Sequence, residues 1–212
     1  MSPASQSSQS SPGAPGFKPN FNNTFSVTVA HPISTVYTIL GTAEGHERVC
    51  RLSKLCSKME LLKRDRVEVP ASKTLTEISA RSFPSTTNLE DQRTLPRQHF
   101  IMTETVPLLF GLIKTDVELT GTLTWEDDGP TSPESSSGHV KHALYETTSN
   151  NGIRIWKLRT FEVVDDNTTK VSERIEGLCS SWLQPIVQKE ASKAHIAHMN
   201  SYHTLFHSNT QS

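Results

Sequence analysis

Work on an organic substrate calls for groups that move a proton or polarise a carbonyl, and His198, Glu104 and Tyr202 stand where such groups are useful. At about 100° per residue, Leu183, Val187, Ala191, Ala194, His198, Tyr202 and Leu205 fall on one arc of a helix, extended by Met199 and Phe206. An imidazole near the middle of that apolar arc is either a general acid/base, with an ordinary pKa of ~6.5, or a structural histidine held by a strand carbonyl or hydroxyl. Glu104 follows Phe100 and Met102 at alternate positions, so it faces inward if they do. Inward, its carboxyl is desolvated and able to donate or accept a proton; with the opposite parity, set by Ile101 and Thr103, it is a surface residue. Tyr202, like Tyr37 and Tyr145, points a hydroxyl into the interior or spends it on backbone.

Other charged residues divide by parity. Asp116 and Glu118 alternate with Val117, Leu119, Leu123 and Trp125, which puts the acids in water. Arg154, Lys157 and Arg159 occupy both parities of one strand-like run. One of them reaches inward to hold a carboxylate or enolate oxygen, or they pair across strands with Glu173 and Glu176. His195 lies three residues before His198, but the two rings diverge by about 60° around the helix and no third ligand stands at metal spacing, so no metal is expected. No Gly-rich phosphate loop, Gly-x-Ser-x-Gly elbow or dinucleotide fingerprint occurs, which leaves hydrolase, kinase and dehydrogenase chemistry without support.

The elements that position these groups are legible in the periodicity. Thr24 to Val29 alternates and reads as a strand ended by His31-Pro32. Pro32 opens a helix carrying Val36, Tyr37, Ile39 and Leu40, and a second short helix spans about Glu47 to Leu55. Strand-like runs follow at Cys56–Arg64, Lys73–Ala80, Gln98–Val106, Ile113–Glu126, Val140–Ser149, Ile153–Val164 and Thr169–Leu178. Asn150-Asn151-Gly152 and Asp165-Asp166-Asn167 mark tight turns, so the pairing is antiparallel. The last element is the longest, a helix from Trp182 to about Phe206, with Ser181 and Gln184 in capping-box spacing and Pro185 in the tolerant first turn.

This order, with the passage from Gly177 to Trp182 into a long helix carrying a mid-helix histidine, resembles the START-like (SRPBCC, polyketide cyclase/dehydrase) superfamily over about residues 23–207. The resemblance implies an α+β helix-grip fold: a curved antiparallel sheet wrapped around the C-terminal helix, with an apolar cavity between them for a hydrophobic small molecule. The alanines at 191, 194 and 197 either let the sheet approach closely or leave room for a ligand on the helix side. Within that cavity His198, Glu104 and Tyr202 are the expected polar contacts, and Phe100, Met102, Trp156, Ala191, Ala194 and His195 the expected ligand wall. The implied activity is a cyclase or isomerase, free of any cofactor, that folds a polyketide- or terpenoid-like intermediate for ring closure. The alternative is a carrier for a lipid, sterol or similar metabolite, and a scaffold with a filled core is the third reading.

Composition frames these expectations. The 212 residues carry 21 Lys+Arg against 22 Asp+Glu, a net charge of −1, which gives no electrostatic reason for nucleic acid as a partner. Hydrophobic residues make up only 34%, diluted by a Ser/Pro-rich segment over residues 1–16 and by Asp127 to His139. Residues 1–22 are read as a disordered tail, 208–212 as a disordered end, and 127–139 as a long hairpin loop. The run from Val106 to Ile113 reads as an apolar turn that is a lid or a docking surface, or else a bulged strand. No apolar run approaches the ~20 residues of a membrane span, and no secretory signal is readable. With three cysteines that cannot form a closed disulfide set, a reducing, cytoplasmic setting is expected, as a monomer or weak homodimer. Chance accounts for the two Asn-x-Thr triplets under that reading.

Overall fold

A computed structural model describes residues 17–81, 92–108, 113–127 and 140–207. The chain runs β1 (Phe21–Val29), α1 (Ile33–Gly41), α2 (His46–Arg51), β2 (Cys56–Pro70), β3 (Gln92–Leu108), β4 (Ile113–Trp125), β5 (Val140–Ser149), β6 (Arg154–Asp165), β7 (Thr168–Leu178) and α3 (Gln184–Asn200), with a 3-10 turn at Tyr202–Phe206. One antiparallel sheet takes the order β1-β7-β6-β5-β4-β3-β2. After β2 every strand therefore pairs with its sequence neighbour, as short connections demand. Only β1 crosses over, to pair with the last strand from Phe21↔Gly177 to Val29↔Thr169.

The sheet closes most tightly where glycine admits a ring. A Cβ at Gly177 would strike the Phe21 ring, and one at Gly121 would strike Phe100 and Thr147. Phe21 is 2% exposed, so the ordered chain begins before residue 23, inside the stretch read as a tail. Gly152 holds φ +85° in the turn between β5 and β6, the conformation its Asn-Asn-Gly context called for.

Each face of the sheet has its own core. On the inner face, α1 and the end of α3 pack Val36, Tyr37, Leu40, Met199 and Tyr202 against Val29, Phe161 and Val171. Nearby, α2 sets Cys50 against Met59, Phe100, Met102 and Leu119. On the outer face, Leu144, Trp156 and Leu158 are covered by Leu75, Ile78 and Ala80 from the segment after β2. That segment corrects an expectation: Lys73–Ala80 is a succession of turns strapped across the sheet, not a strand. The Glu77 carboxylate accepts from the Thr74 backbone N–H (3.1 Å) and hydroxyl (3.2 Å), curling the chain locally. Strand β2 in turn runs on to Pro70, with a bulge between Leu61 and Arg64 where Gln98 donates to the Leu62 carbonyl at 2.9 Å.

Two helix boundaries differ as well. No capping box forms at Ser181: α3 starts from Leu183 without a side-chain cap, and Gln184 N–H reaches only the Ser181 carbonyl, at 3.4 Å. The helix ends at Asn200, and Ser201 leads into the 3-10 turn that carries Tyr202. No helix among the described residues is long and apolar enough to cross a membrane. The 1–16 segment, most of the loop from 128 to 139, and residues 109–112 of the apolar turn lie outside the described residues.

Candidate functional site

Side chains opposite one another in antiparallel strands share a face, and this register assembles the inner surface. Glu173 lies opposite Arg159, which lies opposite Ala143; Ile175 lies opposite Lys157, which lies opposite Tyr145. Phe100, Met102 and Glu104 follow on β3, opposite Gly121, Leu119 and Val117. Glu104 thus shares the face of Phe100 and Met102, resolving the parity that the alternation left open.

At the centre sits Glu173, with 0% exposure. Arg159 Nε donates to its Oε1 at 2.5 Å, Tyr202 Oη donates to the same oxygen at 2.5 Å, and His195 Nε2 lies 2.8 Å from Oε2. Arg159 also donates to Tyr202 Oη at 2.7 Å and to the Leu40 carbonyl, which ties the network to α1. His195 Nδ1 meets Asn23 Nδ2 at 2.9 Å. Burial pushes the Glu173 carboxyl up, but Arg159, Lys157 and His195 outweigh it and hold the group well below the usual carboxylate range. Every polar atom here is spent on a neighbour, so the network fastens α3 to the sheet.

Beside that saturated centre lies a less satisfied patch. The Lys157 ammonium is 3.8 Å from Glu173 Oε2, too long for a hydrogen bond, and 4.3 Å from the Tyr145 ring centre. Among the described residues no acceptor lies within hydrogen-bond reach of Lys157, and Glu104 has no hydrogen-bond partner either. Burial lowers the Lys157 pKa and raises that of Glu104, so each is driven toward its neutral form. Both nonetheless keep some surface open to water, 12% for the Lys157 side chain, and Tyr145 is likewise only partly covered. These groups are desolvated yet not sealed. On α3, Val187, Ala191, Ala194 and His198 are half-buried. The helix makes its close backbone approach to β1.

The expected site residues scatter over these surroundings. His198 Nε2 donates to the Val49 carbonyl at 2.8 Å, and burial lowers its pKa to about 4, so the ring is neutral at pH 7. Tyr202 is wholly buried in the Glu173 network and His195 is bonded at both nitrogens. Phe100 and Met102 are buried in the core with Cys50 and Leu119. Ala191 and Ala194 are half-buried on α3. Trp156 is a correction: it lies on the outer face, its indole N–H donating to the Ile78 carbonyl at 2.9 Å, because Lys157 and Arg159 take the inward parity. Of the three basic residues and three tyrosines weighed as inward candidates, Lys157 and Tyr145 stand together on the inner face beside Glu104, and the signal for Lys157 was the run of charge on both parities of β6.

His46 was not singled out at all. It lies in α2, 4.7 Å from the Phe100 ring and 6.0 Å from Tyr145, and burial takes its pKa down to about 3. It packs there as a neutral, aromatic side chain. Two open hollows lie at the surface of the described residues. One of about 340 Å³ lies between β1 and the end of α3, and one of about 250 Å³ lies beside Tyr37 and Lys141. Neither lies under the middle of α3, where the ligand was expected.

This antiparallel sheet with its C-terminal helix and two short helices after the first strand is similar in structure to a fragment of a STAR-related lipid transfer protein from Xanthomonas axonopodis. The two structures superpose with a TM-score of 0.51 at 12% identity, covering 87% of this chain and 84% of that one. The chain has the START-like helix-grip fold. Two other similar structures are the ZhuI aromatase/cyclase from Streptomyces sp. R1128 (TM-score 0.49, 11% identity, 87% of this chain and 92% of that one) and a truncated norcoclaurine synthase from Thalictrum flavum (0.47, 11%, 88% and 94%). No protein-family model and no curated protein matches the sequence.

Proposed function

We propose that this START-like chain is a cofactor-free cyclase or isomerase acting on a hydrophobic, carbonyl-bearing molecule of polyketide or terpenoid type, held between α3 and the inner sheet. The observation that carries this reading is the placement, on one largely apolar wall, of a carboxyl and an amine that are desolvated and have no hydrogen-bond partner among the described residues. A structural pair would have been bonded, as Glu173 and Arg159 are. A neutral Glu104 serves as proton donor to a carbonyl oxygen, and its carboxylate afterwards takes a proton from the adjacent carbon. Lys157 and Tyr145 hydrogen-bond the oxygen of the enol that these two steps produce. The apolar surroundings fold a flexible substrate toward closure, removing entropy from the barrier.

A carrier for a lipid or similar metabolite is the second reading, favoured by one fact: His198 and Tyr202 are bonded to Val49 and Glu173 and add no free acid or base. Deuterium exchange separates the two. Incubated with 2-decanone in D₂O, an isomerase accelerates loss of the protons beside the carbonyl, and Glu104→Gln removes most of that acceleration, roughly 10²-fold or more. Saturable binding of the ketone without faster exchange would leave the carrier reading standing.

A further inference from the structure

Two cations, Lys157 and Arg159, face one carboxylate, Glu173, on the inner sheet. The carboxylate is already committed. Its Oε1 receives Arg159 and Tyr202, and its Oε2 receives His195. Lys157 is left at 3.8 Å with no bonding acceptor among the described residues, its amine above the Tyr145 ring. The other groups that act on it are Arg159 on β6, Glu104 on β3 and Cys50 on α2; the thiol is held protonated, its pKa pushed up to about 12. Burial and Arg159 work against the ammonium while Glu173 and the Tyr145 ring favour it, and the unprotonated amine in that balance is a nucleophile.

We propose that Lys157 captures an aldehyde or ketone of its apolar ligand as an iminium ion, with Glu104 supplying the proton. The amine lone pair attacks the carbonyl carbon and the C=O π electrons pass to oxygen, giving a carbinolamine once a proton has moved from nitrogen to oxygen. Glu104 then protonates the hydroxyl, which leaves as water while the nitrogen lone pair forms the C=N bond. The products are one iminium, one water and one Glu104 carboxylate, whose charge faces the iminium it created. The iminium acidifies the adjacent C–H, so the same carboxylate is placed to take the next proton. This deepens the reading of the cleft as a carbonyl-binding site and rests on it.

Chemical trapping tests it. The intact protein is incubated at pH 7 with limiting 3-phenylpropanal and sodium cyanoborohydride, whose hydride converts an iminium to a secondary amine, and the modified lysines are mapped by peptide mass spectrometry. Lys157 should be labelled roughly an order of magnitude faster than the exposed Lys58 or Lys170, despite its burial. Excess 2-decanone should suppress labelling at Lys157 alone, and Glu104→Gln should slow it. Labelling of Lys157 no faster than of the exposed lysines overturns the proposal, and this measurement needs no variant to fold. Binding of 2-decanone, followed by calorimetry on the same sample, separates the two failures. Binding without labelling sinks the iminium and spares the cleft, whereas neither binding nor labelling sinks both.

Discussion

Two buried glutamates, one on each face of the sheet, show how structure and chemistry divide this molecule. On the outer face Glu146 accepts from the Ser79 hydroxyl and, at 2.9 Å, from the Arg81 backbone N–H, pinning the strap that covers Trp156 and Leu144. On the inner face Glu104 has no partner among the described residues. Burial raises the pKa of both. The shift alone therefore does not separate a staple from a reagent; the hydrogen-bond inventory does. The outer carboxyl is satisfied within the chain, and the inner one is not.

The comparison can be broken most directly at the centre of the inner face. Glu173→Gln leaves Arg159 and Lys157 buried without a counter-charge and should cost about 3–5 kcal/mol. Thermal unfolding should show a loss of at least ~6 °C, and a variant as stable as the parent would mean the network does not hold α3. Next in size is Leu75→Ala in the outer core, expected to cost ~2–5 kcal/mol in denaturant titration while ketone binding stays unchanged. Binding lost together with stability would show that the two faces are not independent. Ala194→Trp should do the reverse, destabilising by no more than ~1–3 kcal/mol while filling the cleft and abolishing binding by calorimetry. Outright unfolding would show the space to be already packed.

The smallest effect is a slope. His46 and His198 have folded-state pKa values of about 3 and about 4, below the ordinary ~6.5. Their contribution to stability is present in full above ~6.5 and is lost as the pH falls toward the folded values, because the unfolded chain takes up the protons first. Glu173, also depressed, acts in the same sense from about 4 downward, while the raised Glu104 and Glu146 act oppositely. Melting temperature should therefore fall between pH 6.5 and 4.5. His46→Phe, which keeps the ring against Phe100, should flatten that fall, and an unchanged slope would remove His46 as its cause.

Local pattern was enough for much of this. The alternation in β1, the Asn150-Asn151-Gly152 turn and the outward Asp116 and Glu118 all follow from neighbours in sequence. What escaped depends on partners far along the chain. Lys73–Ala80 carries β-favouring threonine and isoleucine, but Leu75 and Ile78 are three apart, and only the apolar patch around Trp156 makes that spacing useful. The helix arc was placed on His198, whereas the buried line is His195, Met199 and Tyr202, because Glu173 lies beneath and recruits His195 and Tyr202. Glu104 was legible as one of two parities, and β3–β4 register decided it. Lys157 could be recognised as inward only once Arg159 had claimed Glu173.

The buried fastening of α3 lies in its second half and the turn beyond it. His195 and Tyr202 hold Glu173, His198 holds Val49, and Arg48 donates to the Leu205 carbonyl at 2.8 Å. The first half is held lightly, by Gln188 to Asn22, with Trp182 75% and Ile186 56% exposed. The helix is a plank bolted at one end. With the outer strap bracing the sheet from behind, the free end of the plank is the element able to lift. Amide hydrogens of residues 187–191 should then exchange well ahead of those at 195–200.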